Sequence, residues 1–111
     1  MLNKPGHWDF MISHTSRNPM AMLLAEAIRI NLIQCGHSVW LDATMHDQSL
    51  LAIKEGVLNS KNVIAILTGP CINPERPSDP PEANAYVRRR SCMQHLLWAM
   101  DAGITIMPVV N

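Results

Sequence analysis

The sequence contains few of the residue patterns that hold a metal ion or attract a nucleic acid. Its three cysteines, Cys35, Cys71 and Cys92, form no CxxC pair, and its five histidines do not fall at zinc-ligand spacings. Nine basic residues balance nine acidic residues, so the formal net charge is zero. Because a balanced charge gives nucleic acids and anionic membranes little to bind, we expect no metal, no nucleic acid and no membrane among its partners.

Long apolar segments and a secretion signal are also missing. Residues 4–7, which read KPGH, interrupt the N-terminal stretch where an apolar signal would begin, and no apolar run reaches transmembrane length. An odd number of widely spaced cysteines is typical of a reduced protein. Since 48% of the 111 residues are apolar, the chain can bury the core of one domain. The sequence therefore predicts one cytoplasmic domain over 1–111.

Four short apolar runs predict β-strands, and the amphipathic segments between them predict helices. The strands are expected at 8–12, 37–42, 62–68 and 104–110. The first helix should begin at an Asn18 cap followed by Pro19 and end before Gly36. Two more helices are expected over about 49–59 and 82–101. Five prolines within 69–81 exclude regular structure there and predict a mobile loop.

The helices are expected to use their apolar sides differently. The core side of the first helix is predicted as Met20, Leu24, Ile28 and Leu32, widened by Ala27 and Cys35. Its opposite face has more apolar residues than a plain solvent-exposed face needs. This face is predicted as a self-association surface, the alternative being an ordinary exposed face. Its residues are Met22, Glu26, Arg29, Ile30 and Ile33. The second helix should pack through Leu50, Ile53, Val57 and Leu58. The third should pack through Tyr86, Met93, Leu96, Leu97 and Met100.

This alternation of strands and helices predicts a doubly wound, flavodoxin-like α/β fold. Strands that are joined through helices run parallel, with right-handed crossovers. A sheet order of 2-1-3-4 places the strongly apolar first and third strands in the centre. Because the sequence stops directly after the fourth strand, we expect a C-terminally short fold whose last strand keeps an uncovered outer face.

Two chemistries that this architecture often carries lack their residues here. A phosphate-accepting receiver domain needs an aspartate after the third strand, where the sequence reads ILTG at 66–69. A dinucleotide-binding fold needs a glycine-rich loop after the first strand, and SHTSRNP at 13–19 has no glycine. In open α/β sheets the functional crevice lies beyond the carboxyl ends of the strands. This polar loop is therefore the first candidate for chemistry, the alternative being a turn that only caps the next helix.

Four segments in register resemble the signatures of Toll/interleukin-1 receptor (TIR) domains. WDFMISHTS resembles the family's first strand, and GHSVWLD resembles its second strand. EGVLNSKNVIAILTG is similar to the second helix and third strand, and SCMQHLLWAMDAGITIMPVV to the third helix and fourth strand. The proline-rich segment PERPSDPPEANAY is similar to that of a protist-like subgroup. On these residues the chain is identified as a member of the TIR family.

The resemblance implies two properties. TIR domains associate with themselves and with other TIR domains in signalling of the innate-immunity type. Many also cleave NAD+ at the nicotinamide–ribose bond with a glutamate of the third helix, in a pattern like W-C-x-x-E-L. Here SCMQHL places His95 at that position, and an imidazole cannot supply the negative charge that an oxocarbenium-like transition state needs. The implied function is a self-associating signalling or scaffold module that requires no cofactor and does not hydrolyse NAD+.

Two alternatives stay open under this resemblance. One is an NAD+ glycohydrolase that uses another acid, and the other is a nucleotide-binding pseudoenzyme with NAD+ as its ligand. The sequence assigns no catalytic residue, and it has His95 at the position of the family's glutamate. The candidate residues of the nucleotide cleft are Ser13, His14, Ser16, Arg17, Trp40, Asp42, Cys92 and His95. Their ordinary alternatives are a surface histidine at 95, a core aromatic at 40, a local cap of the following loop at 42 and a solvated arginine at 17.

Overall fold

Residues 2–110 are described by the computed structural model. Their strands are β1 (Trp8–Ser13), β2 (Val39–Trp40), β3 (Ser60–Leu67) and β4 (Thr105–Val110). Their α-helices are α1 (Pro19–Gln34), α2 (Leu50–Leu58) and α3 (Arg90–Asp101). Short 3-10 turns occur at Asp42–Thr44, Pro81–Asn84 and Tyr86–Arg88. Within 2–110, no helix combines the length and apolar character that crossing a bilayer requires.

The four strands form one parallel sheet in the order β2-β1-β3-β4. The two central strands pair over their whole common length, from Trp8 opposite Ser60 to Ser13 opposite Ala65. The predicted parallel order of 2-1-3-4 is therefore confirmed, with the first and third strands in the centre. Together with the three helices, this sheet is compatible with a flavodoxin-like fold.

Helices cover both faces of the sheet, which explains why its central strands are apolar without alternation. On the face covered by α2 and α3, the buried cluster contains Trp8, Met11, Trp40, Val57, Val63 and Ala99. On the face covered by α1, it contains Ile12, Ala25, Val39, Leu41, Ile64 and Ile66. β4 lies at one edge of the sheet, and its Met107 and Val110 side chains are exposed.

Helix α1 begins and ends where the sequence predicts, but its core side is rotated. Asn18 Oδ1 accepts hydrogen bonds from the backbone N–H groups of residues 20 and 21, and Gly36 takes a φ of +89° just after the helix. The residues that face the sheet are Ala21, Leu24, Ala25, Ile28 and Leu32. The predicted core positions Met20, Ala27 and Cys35 are exposed. Small alanines let the helix approach the sheet closely, and Met20 lies about 100° around the helix from Ala21.

The second strand is shorter than predicted, and the second helix buries a different set of residues. β2 has two residues instead of the expected six over 37–42, because the Leu41 carbonyl accepts hydrogen bonds from Thr44 N–H and Thr44 Oγ1 and turns the chain. In α2 the buried residues are Ala52, Gly56 and Val57. The predicted core residues Leu50 and Leu58 are exposed. Ala52 and Gly56 lie where α2 packs most closely, so Leu50 and Leu58 point outward.

The predicted third helix over 82–101 is wrong over its first eight residues. The chain instead makes the turns Pro81–Asn84 and Tyr86–Arg88, with an extended residue after each, before α3 begins at Arg90. Tertiary hydrogen bonds decide this: Tyr86 N–H donates to the Thr68 carbonyl, and Asn84 Nδ2 donates to the Cys71 carbonyl.

The core side of α3 also differs from the prediction. Its buried residues are Cys92 and Ala99, with Leu96 partly buried between them, at spacings of four and three. Met93, Leu97 and Met100 were expected to pack and are exposed instead. Only a narrow stripe of the helix is covered, so the neighbouring apolar positions face outward.

The proline-rich stretch over 69–81 has no strand and no α-helix, as predicted. Two contacts involve residues near its ends. Arg17 Nη1 lies 3.1 Å from Asp79 Oδ2, and Cys71 N–H donates to the Pro81 carbonyl. The ion pair places the loop beside the β1–α1 connection, and the hydrogen bond joins the two ends of the loop. Its mobility stays a prediction.

Candidate functional site

A small cleft opens at the carboxyl ends of β1 and β2, where open α/β sheets place their sites. It holds about 90 Å³ of water-accessible space. Its apolar wall consists of Met11, Ile12, Trp40 and Ile53. Its polar lining consists of His14, Ser16, Asp42, Ser91 and His95. The turn at Asp42–Thr44, which ends β2, is what brings the Asp42 carboxyl group into this cleft.

Three side chains from distant parts of the chain form a hydrogen-bonded row beneath the cleft. The Ser13 hydroxyl lies 2.7 Å from the Tyr86 hydroxyl and 2.8 Å from Nδ1 of His95. Ser13 and Tyr86 are fully buried, whereas His95 is partly exposed and lines the cleft. The end of β1 supplies Ser13, the turn before α3 supplies Tyr86, and α3 supplies His95.

One arrangement of protons satisfies every member of this row. Within residues 2–110, the Tyr86 hydroxyl has Ser13 as its hydrogen-bond partner. If Ser13 donated to Tyr86, the tyrosine hydrogen would be buried without an acceptor. Tyr86 therefore donates to Ser13, and Ser13 donates to Nδ1 of His95. The neutral His95 ring then carries its hydrogen on Nε2, which becomes a hydrogen-bond donor.

Burial keeps both ends of the row uncharged at neutral pH. Desolvation, with a smaller contribution from the neighbouring His14, lowers the pKa of His95 from 6.5 to about 4. Desolvation also raises the pKa of Tyr86 well above its ordinary value, and the hydrogen bond with Ser13 offsets only part of that shift. A neutral phenol and a neutral imidazole are the states that the proton arrangement requires.

A second imidazole and a carboxyl group stand in the same cleft. Nδ1 of His14 lies 3.3 Å from the Thr15 carbonyl, so Nδ1 carries the hydrogen and Nε2 is an acceptor. Desolvation lowers the pKa of His14, although the Thr15 carbonyl and the charge of Asp42 oppose this. Desolvation raises the pKa of Asp42, opposed by His14. The two rings thus present opposite groups, an acceptor from His14 and a donor from His95.

Two polar atoms of cleft residues are buried without a hydrogen-bond partner in residues 2–110. They are Nε1 of Trp40 and Oδ1 of Asp42. Because most buried polar atoms in folded proteins are hydrogen-bonded, these two are unusual. The Trp40 ring cannot easily move to find a partner, since it packs against Gly56 of α2. A Cβ atom at Gly56 would lie 2.7 Å from the ring.

The predicted cleft residues divide into three groups. His14, Ser16, Trp40, Asp42 and His95 line the cleft, and Ser13 lies beneath it. Arg17 does not line it and pairs with Asp79 of the proline-rich loop. Cys92 does not line it either and is fully buried against Ala65 and Tyr86. Burial raises the pKa of the Cys92 thiol to about 11, so it is a packed, uncharged side chain.

Sequence reasoning missed Tyr86 as a functional side chain. It was expected as an apolar contact of a longer third helix, whereas its hydroxyl is the first donor of the row beneath the cleft. One signal was available: a tyrosine that is buried needs a polar partner for its hydroxyl. Which partner it finds depends on the turn at Tyr86–Arg88, and no local pattern predicted that turn.

The candidate interface residues share the outer face of α1. Met22, Ile30 and Ile33 are each nearly half exposed, at 46%, 45% and 45%. Glu26 and Arg29 form an ion pair on the same helix, with Arg29 Nη2 2.6 Å from Glu26 Oε1. The face therefore combines exposed apolar side chains with one internally paired charge couple.

Comparison with other proteins does not identify a family for the chain. No protein-family model matches the chain, and no curated protein matches it in sequence. Within residues 2–110, no group of three or more His, Cys, Asp or Glu side chains is arranged to hold a metal ion.

Proposed function

We propose that the protein is a cytoplasmic TIR domain that acts as a signalling or scaffold module, associating with itself and with other TIR domains, and that it does not hydrolyse NAD+. Four sequence segments in register support the family assignment. The parallel sheet ordered β2-β1-β3-β4 supports it as well, since those segments fall on its strands and helices in the expected order.

The observation that carries the last part of the proposal, the absence of NAD+ hydrolysis, is the state of His95. Cleavage of a glycosidic bond to ribose develops positive charge on the sugar, and a carboxylate stabilises that charge. His95 stands at the position of the family's glutamate, and burial holds it as a neutral imidazole. Its Nδ1 is already engaged by Ser13. This position therefore supplies a hydrogen-bond donor and no negative charge.

The outer face of α1 supports the self-association part of the proposal. Met22, Ile30 and Ile33 lie exposed along one helix, and the Glu26–Arg29 pair leaves no net charge beside them. Met22 and Glu26 of this face also line a largely apolar groove, together with His14, Pro19, Leu23, Leu41 and Ala43. A second copy could bury these apolar groups without burying an unpaired charge.

One observation favours the alternative function, an NAD+ glycohydrolase. Asp42 is a carboxyl group in the cleft, and its Oδ1 has no hydrogen-bond partner in the described part of the chain. It comes from the end of β2 and does not match the family's motif on α3. A pseudoenzyme that binds NAD+ without cleaving it would use the same cleft.

Nicotinamide release separates the module from the glycohydrolase. The protein is incubated with NAD+ at high concentration, and nicotinamide is measured by chromatography. We expect none above the background of a heat-denatured sample. Turnover that persists in His95→Ala and disappears in Asp42→Asn would establish the glycohydrolase instead. NAD+ binding without turnover, measured by calorimetry on the same protein, would establish the pseudoenzyme.

Sedimentation tests the self-association. Ile33→Arg places an unpaired charge on the outer face of α1, and in a desolvated contact it should cost about 2 kcal/mol, or roughly thirtyfold in the association constant. Leu51→Arg on α2, where the side chain is 71% exposed, is the matched control and should leave association unchanged. Equal association constants for wild type and Ile33→Arg would exclude α1 as the contact.

A further inference from the structure

One serine of the chain directly follows a run of three arginines. The sequence reads RRRS at 88–91, so Ser91 has an arginine at the first, second and third positions before it. Of the other serines, only Ser78 has an arginine at the second or third position before it, and Glu75 precedes that arginine. Protein kinases select substrates largely by charge patterns of this kind. Arginines two and three positions before a serine fit a kinase whose substrate groove has acidic side chains.

The structure leaves this segment accessible. Arg88, Arg90 and Ser91 are exposed, and Arg89 is partly buried. Within residues 2–110, none of the three guanidinium groups forms an ion pair, so their charges are available to an acidic partner. The backbone here is held only locally, since the N–H groups of Arg88 and Arg89 donate to carbonyls three residues earlier.

Helix α3 begins without the groups that normally stabilise a helix start. The N-cap residue Arg89 provides no side-chain cap, and the first turn has no acidic residue. The arginines also lie at the positive end of the helix dipole, where positive charge is unfavourable. The first turn therefore opens at low cost, and this opening can present residues 88–91 to a kinase in an extended form.

We propose that Ser91 is a phosphorylation site for an arginine-directed serine kinase, and that its phosphate stabilises the start of α3. In the transfer, Ser91 Oγ forms a bond to the γ-phosphorus of ATP, and the bond from that phosphorus to the bridging oxygen of ADP breaks. ADP leaves, and the hydroxyl proton passes to a carboxylate of the kinase. The proposal does not rest on the TIR assignment.

The phosphate would change the electrostatics of the helix start and of the cleft. About two negative charges at the second residue of α3 suit the positive end of the dipole, its uncapped N–H groups and the adjacent arginines. Ser91 also lines the cleft, one helical turn before His95. A phosphate there should raise the pKa of His95 from about 4 toward its ordinary value, because it stabilises the protonated ring. His14 and Asp42 face the same cleft in both forms, so the difference isolates the phosphate.

The native whole chain is the substrate in the first experiment. It is incubated with ATP, Mg²⁺ and the catalytic subunit of cyclic-AMP-dependent protein kinase, which is arginine-directed, and mass spectrometry locates the phosphate. We expect one phosphate on Ser91 and none in Ser91→Ala. The double change Arg88→Ala and Arg89→Ala should slow the reaction at least about tenfold. Arg76→Ala, two positions before the exposed Ser78, is the matched control and should leave the rate unchanged.

The purified phosphoprotein tests the effect on α3. Its midpoint of urea unfolding should lie about 0.5 M above that of the unmodified protein, and high salt should reduce this gain because it screens the charges. An NMR titration should show a higher pKa for His95 in the phosphoprotein than in the unmodified chain.

Three results would overturn the proposal. One is absence of phosphate on Ser91 under conditions in which the enzyme phosphorylates a standard arginine-containing peptide. Another is an unchanged rate in the Arg88 and Arg89 double variant, which would show that the arginines are not recognised. The third is a lower urea midpoint for the phosphoprotein. The first and third use the wild-type sequence, so they decide the question even if a variant fails to fold. None depends on self-association or on nicotinamide release.

Discussion

The stability of this protein should fall as the solution becomes mildly acidic, and His95 should be the main cause. Burial lowers its pKa from 6.5 to about 4 in the folded chain. Between these two values the unfolded chain binds a proton that the folded chain does not, so the free energy of unfolding rises with pH across that window. Protonation of Nδ1 would also remove the acceptor that Ser13 donates to.

The size of the effect follows from the two pKa values. A full difference of about 2.5 pKa units corresponds to roughly 3 kcal/mol, and about 2 kcal/mol of this should be lost between pH 7 and pH 5. His14 is shifted in the same direction by desolvation, so it adds to the loss. Asp42 has a raised pKa, so its contribution has the opposite sign and grows unfavourable as pH rises.

Urea unfolding at a series of pH values, at constant ionic strength, measures this contribution. His95→Gln removes the titrating ring and keeps His14 and Asp42, so the difference between the two curves isolates His95. The variant should lose about 2 kcal/mol less than wild type between pH 7 and pH 5. His7→Gln, at an exposed position, is the control and should follow wild type.

One outcome would refute the reasoning. If wild type and His95→Gln lose the same free energy over this window, the ring is not held neutral by burial, and the assignment of its tautomer falls with it. An NMR titration of the His95 ring provides an independent reading, because the pKa is then observed without unfolding the chain. A ring that titrates near 6.5 in the native state would contradict the reasoning in the same way.

Two further changes have defined expectations. Gly56→Ala would place a Cβ 2.7 Å from the buried Trp40 ring. Overpacking should cost about 1–3 kcal/mol, against a gain of about 1 kcal/mol in helix propensity, so thermal unfolding should show a net loss of stability. Gly69→Ala, where a Cβ would have open space, is the control. Under the proposed TIR assignment, His95→Glu should gain measurable nicotinamide release at a pH high enough to ionise the buried carboxyl group, because it would place a carboxylate on α3 where that family has its glutamate. A silent but folded His95→Glu would show that the cleft has diverged beyond this residue.

Much of the fold could be predicted because its signals are local. The apolar runs at β1 and β3 are continuous in the sequence, and a strand covered on both faces needs no more than that. The start of α1 is equally local, since Asn18 caps the helix and Pro19 follows it directly. The order of the strands then followed from short connections and right-handed crossovers.

The rest depends on contacts between distant residues. The segment before α3 has helical composition, yet its Tyr86 N–H is taken by the Thr68 carbonyl, and the chain turns there. The polar loop after β1 lies beside the cleft, but the partners of its side chains were not predictable. Ser13 contacts Tyr86 and His95, which are 73 and 82 residues away, and Arg17 pairs with Asp79 instead of lining the cleft. Nothing local specifies such pairings.

The row beneath the cleft should accept a carboxyl group in place of the His95 ring without a change of fold. Ser13 donates to whatever acceptor stands at residue 95, and Tyr86 donates to Ser13 in either case. A glutamate oxygen could replace Nδ1 as that acceptor. The two residues differ in electrostatics, because the burial that keeps His95 neutral would raise the pKa of a glutamate. His95→Glu should therefore reverse the sign of this position's pH dependence, losing stability as pH rises, so the stability measurement and the nicotinamide assay report on the same side chain.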